Sequence, residues 1–184
     1  MAENYNYRYV FLDAIFKGKG CYDDPVIKER LKKECEVDLD RPKSTYDFRT
    51  VQAVILLLAH YYHPNLTPEY AQFELGYAMF GGYCQTVVGR ITMVVLQVKA
   101  IAPERILRAA LNALNNEKIN AVEYLLIKVN PTKYIFGFCN VIAEPYFNWG
   151  LTKALVDRMN LNQPRVTLEE LSQSSYNVII EWKS

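Results

Sequence analysis

The spacing of apolar positions divides the chain into a helical first part and a strand-forming last part. Tyr7 to Lys17 is apolar and aromatic and predicts a first helix, with a strand as the alternative, ended by Gly18 and Gly20. Asp23 or Asp24 then caps a helix with Pro25 in its first turn; Val26, Ile27, Leu31 and Cys35 mark its apolar positions, and Lys and Glu its solvated face. After the break at Arg41-Pro42-Lys43-Ser44, a third helix is expected from about Tyr46 to Tyr62, capped by Ser44 or Thr45. It is apolar almost all round between Val51 and Ala59, which places it in the core. Thr67-Pro68-Glu69-Tyr70 opens a fourth helix with a cap, a proline at the first helical position and an acid in the first turn. Along it Tyr70, Phe73, Tyr77, Phe80 and Cys84 recur at i, i+3, i+7, i+10 and i+14, predicting one continuous apolar stripe. Thr86 to Lys99 and Pro103 to Asn116 continue the helical pattern, the former with many β-branched residues.

Near Asn120 the period changes from 3.6 to 2. Val122, Tyr124, Leu126 and Lys128 alternate with Ala121, Glu123, Leu125 and Ile127; after the turn Asn130-Pro131-Thr132-Lys133, Tyr134, Phe136 and Phe138 alternate with Ile135, Gly137 and Cys139. That pattern is a β-hairpin. A helix from Pro145 to about Asn160 with Leu151, Leu155 and Met159 inward follows, then a short strand over Gln163 to Glu169 and a closing strand over Tyr176 to Trp182. The expected fold class is α+β, N-terminal helices packed on a C-terminal antiparallel sheet of three to four strands. No linker or repeat divides the chain, so residues 1–184 are read as one domain.

Composition narrows the function classes more than it names one. The 184 residues are 51% hydrophobic and carry a net charge of +1, which provides a core but no global field for nucleic acid or an anionic membrane. Fourteen Tyr, eight Phe and two Trp are in excess, and such residues suit pockets and interfaces. The apolar run from Ala53 to Ala59 is too short to span a bilayer, and residues 1–20 lack the pattern of a secretory signal. A cytoplasmic setting with reduced thiols is therefore expected for Cys21, Cys35, Cys84 and Cys139, whose wide spacing matches no zinc knuckle or CxxC motif.

Chemistry-bearing motifs are mostly missing: there is no phosphate loop, dinucleotide fingerprint, GxSxG elbow or HExxH. His60 and His63 could place two imidazoles on one helix face as a metal pair, with Glu69 or Glu74 as a third ligand; the plainer reading is two half-exposed histidines near a helix C-terminus. Cys84 could pair with either histidine as nucleophile and base, although its place at the end of an apolar stripe favours a buried, inert thiol. Tyr83 to Arg90 is the most distinctive stretch, with Gly81, Gly82 and Gly89 permitting close backbone approach. Arg90 lies among apolar residues and, if buried, needs an anionic partner: Glu74 or Asp47 in a structural pair, or the polar end of a ligand. The stripe residues Phe73, Tyr77, Phe80 and Cys84, with Gln85 and Arg90, form the candidate ligand-binding set, against a reading of the stripe as plain core.

The runs Tyr46-Asp47, Tyr62-His63-Pro64-Asn65-Leu66-Thr67-Pro68-Glu69-Tyr70-Ala71, Leu75-Gly76 and Thr86-Val87-Val88-Gly89-Arg90, with the Asn112 to Asn120 stretch, Gly150 and the Tyr176 to Trp182 strand, carry a resemblance over nearly the whole chain. It resembles a bacterial family without an assigned function, best known as a set of myxobacterial paralogues. That family is distantly similar to vinyl-reductase-type small-molecule-binding domains, haem-NO-binding domains and Bet3-type trafficking subunits. The resemblance implies a non-enzymatic ligand-binding or dimerising sensor domain with no established catalytic residues. The haem-NO branch relies on a mid-chain His and a Tyr-x-Ser-x-Arg motif; this chain has no His after His63 and no such motif, which argues against haem bound in that way. We therefore expect a domain that holds a small apolar or amphipathic ligand and forms a homodimer, with an interaction module or an enzyme of pigment or tetrapyrrole metabolism as alternatives and the cofactor unassigned.

Overall fold

The computed structural model describes residues 6–86, 89–90, 102–116, 118–119, 124–138, 145–172 and 175–184. The helices are α1 (Tyr9–Lys19), α2 (Pro25–Cys35), α3 (Phe48–Tyr62), α4 (Pro68–Tyr83), α5 (Pro103–Asn116) and α6 (Pro145–Val156). The strands are β1 (Asn6–Arg8), β2 (Thr45–Asp47), β3 (Lys118–Ile119), β4 (Leu125–Asn130), β5 (Lys133–Phe138), β6 (Arg165–Ser172) and β7 (Ser175–Glu181). The fold class is α+β. A three-stranded sheet runs β2-β1-β3 and a four-stranded sheet β4-β5-β7-β6, with all neighbours antiparallel. Among the described residues no helix is long and apolar enough to cross a membrane.

Local chemistry sets the helix ends. Asp24 accepts from the N–H groups of Val26 and Ile27, and Asp47 accepts from Thr50 N–H at 2.8 Å, so α2 and α3 start on charged caps that suit the positive end of a helix dipole. Thr67 caps α4 ahead of Pro68. Gly20 ends α1 at φ 68°, a left-handed conformation that costs glycine nothing.

Several boundaries differ from expectation. Tyr7 belongs to β1 rather than to the first helix, because Tyr7 and Tyr46 pair across β1 and β2. That pairing makes 45–47 a strand and leaves Asp47, not Ser44 or Thr45, as the cap of α3. β6 runs on to Ser172 because its pairing with β7 extends to Ser172 opposite Ser175. Most of the helix expected over Thr86 to Lys99 lies outside the described residues, although Gly89 and Arg90 are helical; so does the start of the hairpin around Val122.

α4 is the central helix, packed most extensively against α1 on one side and α6 on the other. Both crossings bring backbone against backbone. A Cβ on Gly82 would overlap the Ala14 carbonyl oxygen and the backbone of Gly18, and one on Gly18 would overlap the Ala78 carbonyl. A Cβ on Gly76 would overlap the Phe147 carbonyl, and one on Gly150 the Phe73 carbonyl. The buried positions of α4 are accordingly Ala71, Gln72, Leu75, Gly76, Met79, Phe80 and Gly82. The predicted stripe of large residues is thus not the core face: Tyr70 is 58% exposed, Phe73, Tyr77 and Cys84 are half-buried, and only Phe80 is buried.

The four-stranded sheet buries one face, where Tyr134, Phe136, Phe138, Val166, Tyr176, Val178 and Ile180 meet the helices. Both ends of α5 are tied to the hairpin. Glu104 in its first turn accepts from Lys128 Nζ of β4 at 2.7 Å and from the Tyr134 hydroxyl of β5 at 3.3 Å. Asn115 in its last turn exchanges two hydrogen bonds with the backbone of Tyr124 just before β4.

These contacts predict opposite signs for neighbouring glycines. Gly82→Ala is expected to lower stability by about 1–3 kcal/mol through overpacking. Gly81→Ala, whose Cβ would meet nothing within 4 Å, is expected to gain roughly 0.5–1 kcal/mol from helix propensity. Urea denaturation of the two variants measures the contrast.

Candidate functional site

An apolar cavity of about 60 Å³ lies where α1, α4, α5, α6 and β5 converge. Val10 and Phe11 come from α1, Met79, Phe80 and Tyr83 from α4, and Phe136 from the buried face of β5. α5 contributes Ile106, Ala110, Ala113 and Leu114, and α6 contributes Leu151, Thr152 and Leu155. The space has a sequence cause. α5 turns two alanines toward it, and the glycine crossings hold α1 and α6 close to α4, so neither helix can move to fill the gap. Among the described residues the wall's side-chain polar atoms are the hydroxyls of Tyr83 and Thr152, and Thr152 donates to the Asn148 carbonyl at 2.8 Å. A buried water needs two to four polar partners, and this wall is poorly equipped to supply them.

Of the sequence-predicted set, Phe80 alone lines this cavity. Phe73 packs on Trp149 with ring centroids 4.6 Å apart, and the Tyr77 hydroxyl donates to Asp157 at 3.1 Å, so both serve the α4–α6 contact. Cys84 is half-buried at the end of α4, where burial pushes its thiol pKa up and away from a reactive thiolate. Gln85 is exposed. Arg90 is exposed too, not buried among apolar residues, and makes no ion pair with Glu74 or Asp47 among the described residues. Asp47 is occupied as the cap of α3. The Tyr83–Arg90 stretch instead owes its character to a tight turn. The Thr86 hydroxyl donates to the Tyr83 carbonyl and accepts from Gly89 N–H at 3.0 Å, and a Cβ on Gly89 would overlap the Tyr83 carbonyl. The cation beside the cavity wall is Arg158, whose guanidinium lies 4.8 Å from the centre of the Phe80 ring.

The histidines diverge. His60 is exposed on α3, while His63 is half-buried at its C-cap, with Lys19 Nζ 2.7 Å from its Nε2. An ammonium can only donate, so Nε2 must be unprotonated there. Among the described residues no cluster of three or more His, Cys, Asp or Glu side chains could hold a metal. Both histidines sit near the α3–α4 connection, and Cys84 is at the far end of α4, a helix of 16 residues and so about 24 Å long. No nucleophile–base pair forms between them.

Sequence reasoning missed most of the wall. Ile106, Ala110 and Leu114 were visible as an apolar face of α5, and Phe136 as an inward strand position, but nothing local marks a position as bordering space rather than packed core.

Burial and the Lys19 ammonium both hold the His63 pKa below its ordinary 6.5. The unfolded chain therefore binds a proton that the folded chain resists, and stability is lost as pH falls through about 6.5. His63→Gln is expected to flatten that part of the stability–pH curve, read by chemical denaturation from pH 7.5 to 5.

Comparison with known proteins places this architecture. Residues 11–183 match the family described as "Protein of unknown function (DUF2378)". No curated protein matches the chain. Among solved structures, the H-NOX protein from S. oneidensis in the Fe(II)NO ligation state is similar, with a TM-score of 0.63 at 12% identity, covering 96% of this chain and 99% of that one. The Fe(II) unliganded H-NOX protein from K. algicida gives 0.60 at 11% identity, covering 97% of each chain. A structure reported for protein-induced porphyrin distortion and haem redox potential gives 0.66 at 12% identity, covering 97% and 95%. At these identities the likeness is one of fold.

Proposed function

We propose that this chain, which belongs to the DUF2378 family, is a sensory domain that binds one small apolar molecule, has no catalytic chemistry of its own and works as a homodimer. The observation that carries the ligand reading is the apolar cavity between α1, α4, α5, α6 and β5. Engineered apolar cavities of about 150 Å³ stay dry and take up benzene or xenon. A space of about 60 Å³ suits a single apolar molecule smaller than benzene. Its position favours a sensory role, because a molecule lodged there presses on α5, which Glu104 and Asn115 couple to the hairpin.

Haem is the ligand class that the similar structures suggest, and the residues of this chain do not fit it. Haem held through a proximal His needs an imidazole at the cavity. Neither histidine lines the cavity, and the sequence has none after His63. Pockets for drug-sized ligands run to about 300–1,000 Å³, well above the space available.

Xenon is a suitable probe for the cavity. Under xenon pressure, the methyl NMR signals of Ile106, Leu151 and Leu155 are expected to shift saturably. Ala113→Leu is expected to abolish the shifts while keeping the fold. Native mass spectrometry of freshly purified protein should then identify a physiological occupant. Shifts scattered over the surface, or none, would refute the ligand reading.

A further inference from the structure

The buried face of the four-stranded sheet is complete, but its other face and one edge are not. On β4, Leu125, Ile127 and Val129 are about half exposed, at 49%, 49% and 51%. Leu125 and Ile127 alternate with Leu126 and Lys128, so they share the face turned away from the core, and Val129 sits at the bulge that follows. In register, Ile127 pairs with Ile135 of β5, and Ile135 with Ile179 of β7, which makes an isoleucine row running inward from the edge. Around it lie Lys133, Glu181 and Arg165 toward one end of the sheet and Asn177 and Glu169 toward the other. An apolar centre with a polar rim is the usual make-up of a protein interface.

The two edges of the sheet differ. β6 carries Arg165, Glu169 and Glu170 and is joined to α6 by the Trp149 indole, which donates to the Val166 carbonyl at 3.0 Å. Charge and cover of that kind keep a strand edge from pairing with another chain. β4 has one charge, Lys128, already drawn to Glu104. Its bulge lies between Lys128 and Asn130, so Leu125 to Lys128 remains regular. Among the described residues no strand pairs with its outer side.

We propose that β4 pairs antiparallel with β4 of a second copy of this chain, about a two-fold axis at Ile127, joining the two sheets into one of eight strands. The inference rests on the homodimer reading above and names its surface. The regular part of the strand is self-complementary in this register: Ile127 faces its own copy and Leu126 faces Lys128. No like charges therefore meet. Centring on Lys128 instead would oppose two ammonium groups, which is unfavourable. A symmetric pair of identical strands is the isologous contact of a two-fold dimer. The buried face, and with it the cavity, is left untouched.

Sedimentation equilibrium of the full chain is expected to show a dimer. Ile127→Lys opposes two ammonium groups at the axis and is expected to weaken association at least about tenfold, with an unchanged circular dichroism spectrum. Residues opposite each other in an antiparallel pair have Cα atoms about 4.5–5.5 Å apart, within disulfide range. Ile127→Cys is therefore expected to cross-link two copies under copper–phenanthroline oxidation, and Leu125→Cys is not. A monomer at every accessible concentration overturns both this proposal and the homodimer reading. A dimer that Ile127→Lys leaves intact, or that Leu125→Cys cross-links as readily as Ile127→Cys, overturns the β4 interface alone.

Discussion

Backbone-to-backbone contact along α4 is the constraint on which the helical part depends. Gly18 and Gly82 let α1 meet α4, and Gly76 and Gly150 let α6 meet it on another side. Interiors are packed at crystal-like density, so a helix held by its backbone on two sides has almost no freedom to shift. The large residues of α4 then take secondary places. Phe73 and Tyr77 finish the contact with α6 through Trp149 and Asp157, and Tyr70 stands in solvent.

The cavity follows from that rigidity. α5 approaches the fixed layer with alanines at positions 110 and 113, and its ends are held to the hairpin by Glu104 and Asn115. A helix anchored at both ends cannot collapse onto a gap at its middle. The architecture is common to this chain and to the similar solved structures, and the cavity here is small and lined mostly by apolar side chains. Shared architecture does not carry shared chemistry, because the ligand is chosen by the side chains at the site.

Charged and titratable groups have mostly structural work. Asp24 and Asp47 cap helices, Glu104 joins a helix to a sheet, and His63 with Lys19 links the ends of α1 and α3. Arg90 is exposed and makes no ion pair among the described residues.

Periodicity along the chain was enough for the class of fold and for the order of the described helices and of the strands in the four-stranded sheet, but not for the three-stranded sheet. The period of 3.6 before Asn120 and of 2 after it is imposed by the geometry of helix and strand, and capping residues such as Thr67-Pro68 and the turn at Asn130–Lys133 act on neighbours along the chain. The same alternation put Phe136 and Phe138 on one face and Ile135 on the other, and the structure shows the phenylalanine face to be the buried one. Only the tertiary structure decided which face of α4 is the core. Glycine adds little to an apolar pattern, and its value appears only when another backbone arrives where a Cβ would be. The cavity was illegible for a related reason: Ala110 and Ala113 read as ordinary core until the distance between α5 and its neighbours is set. So was the edge at β4, where no described strand pairs, since a strand's sequence does not say which of its sides is paired.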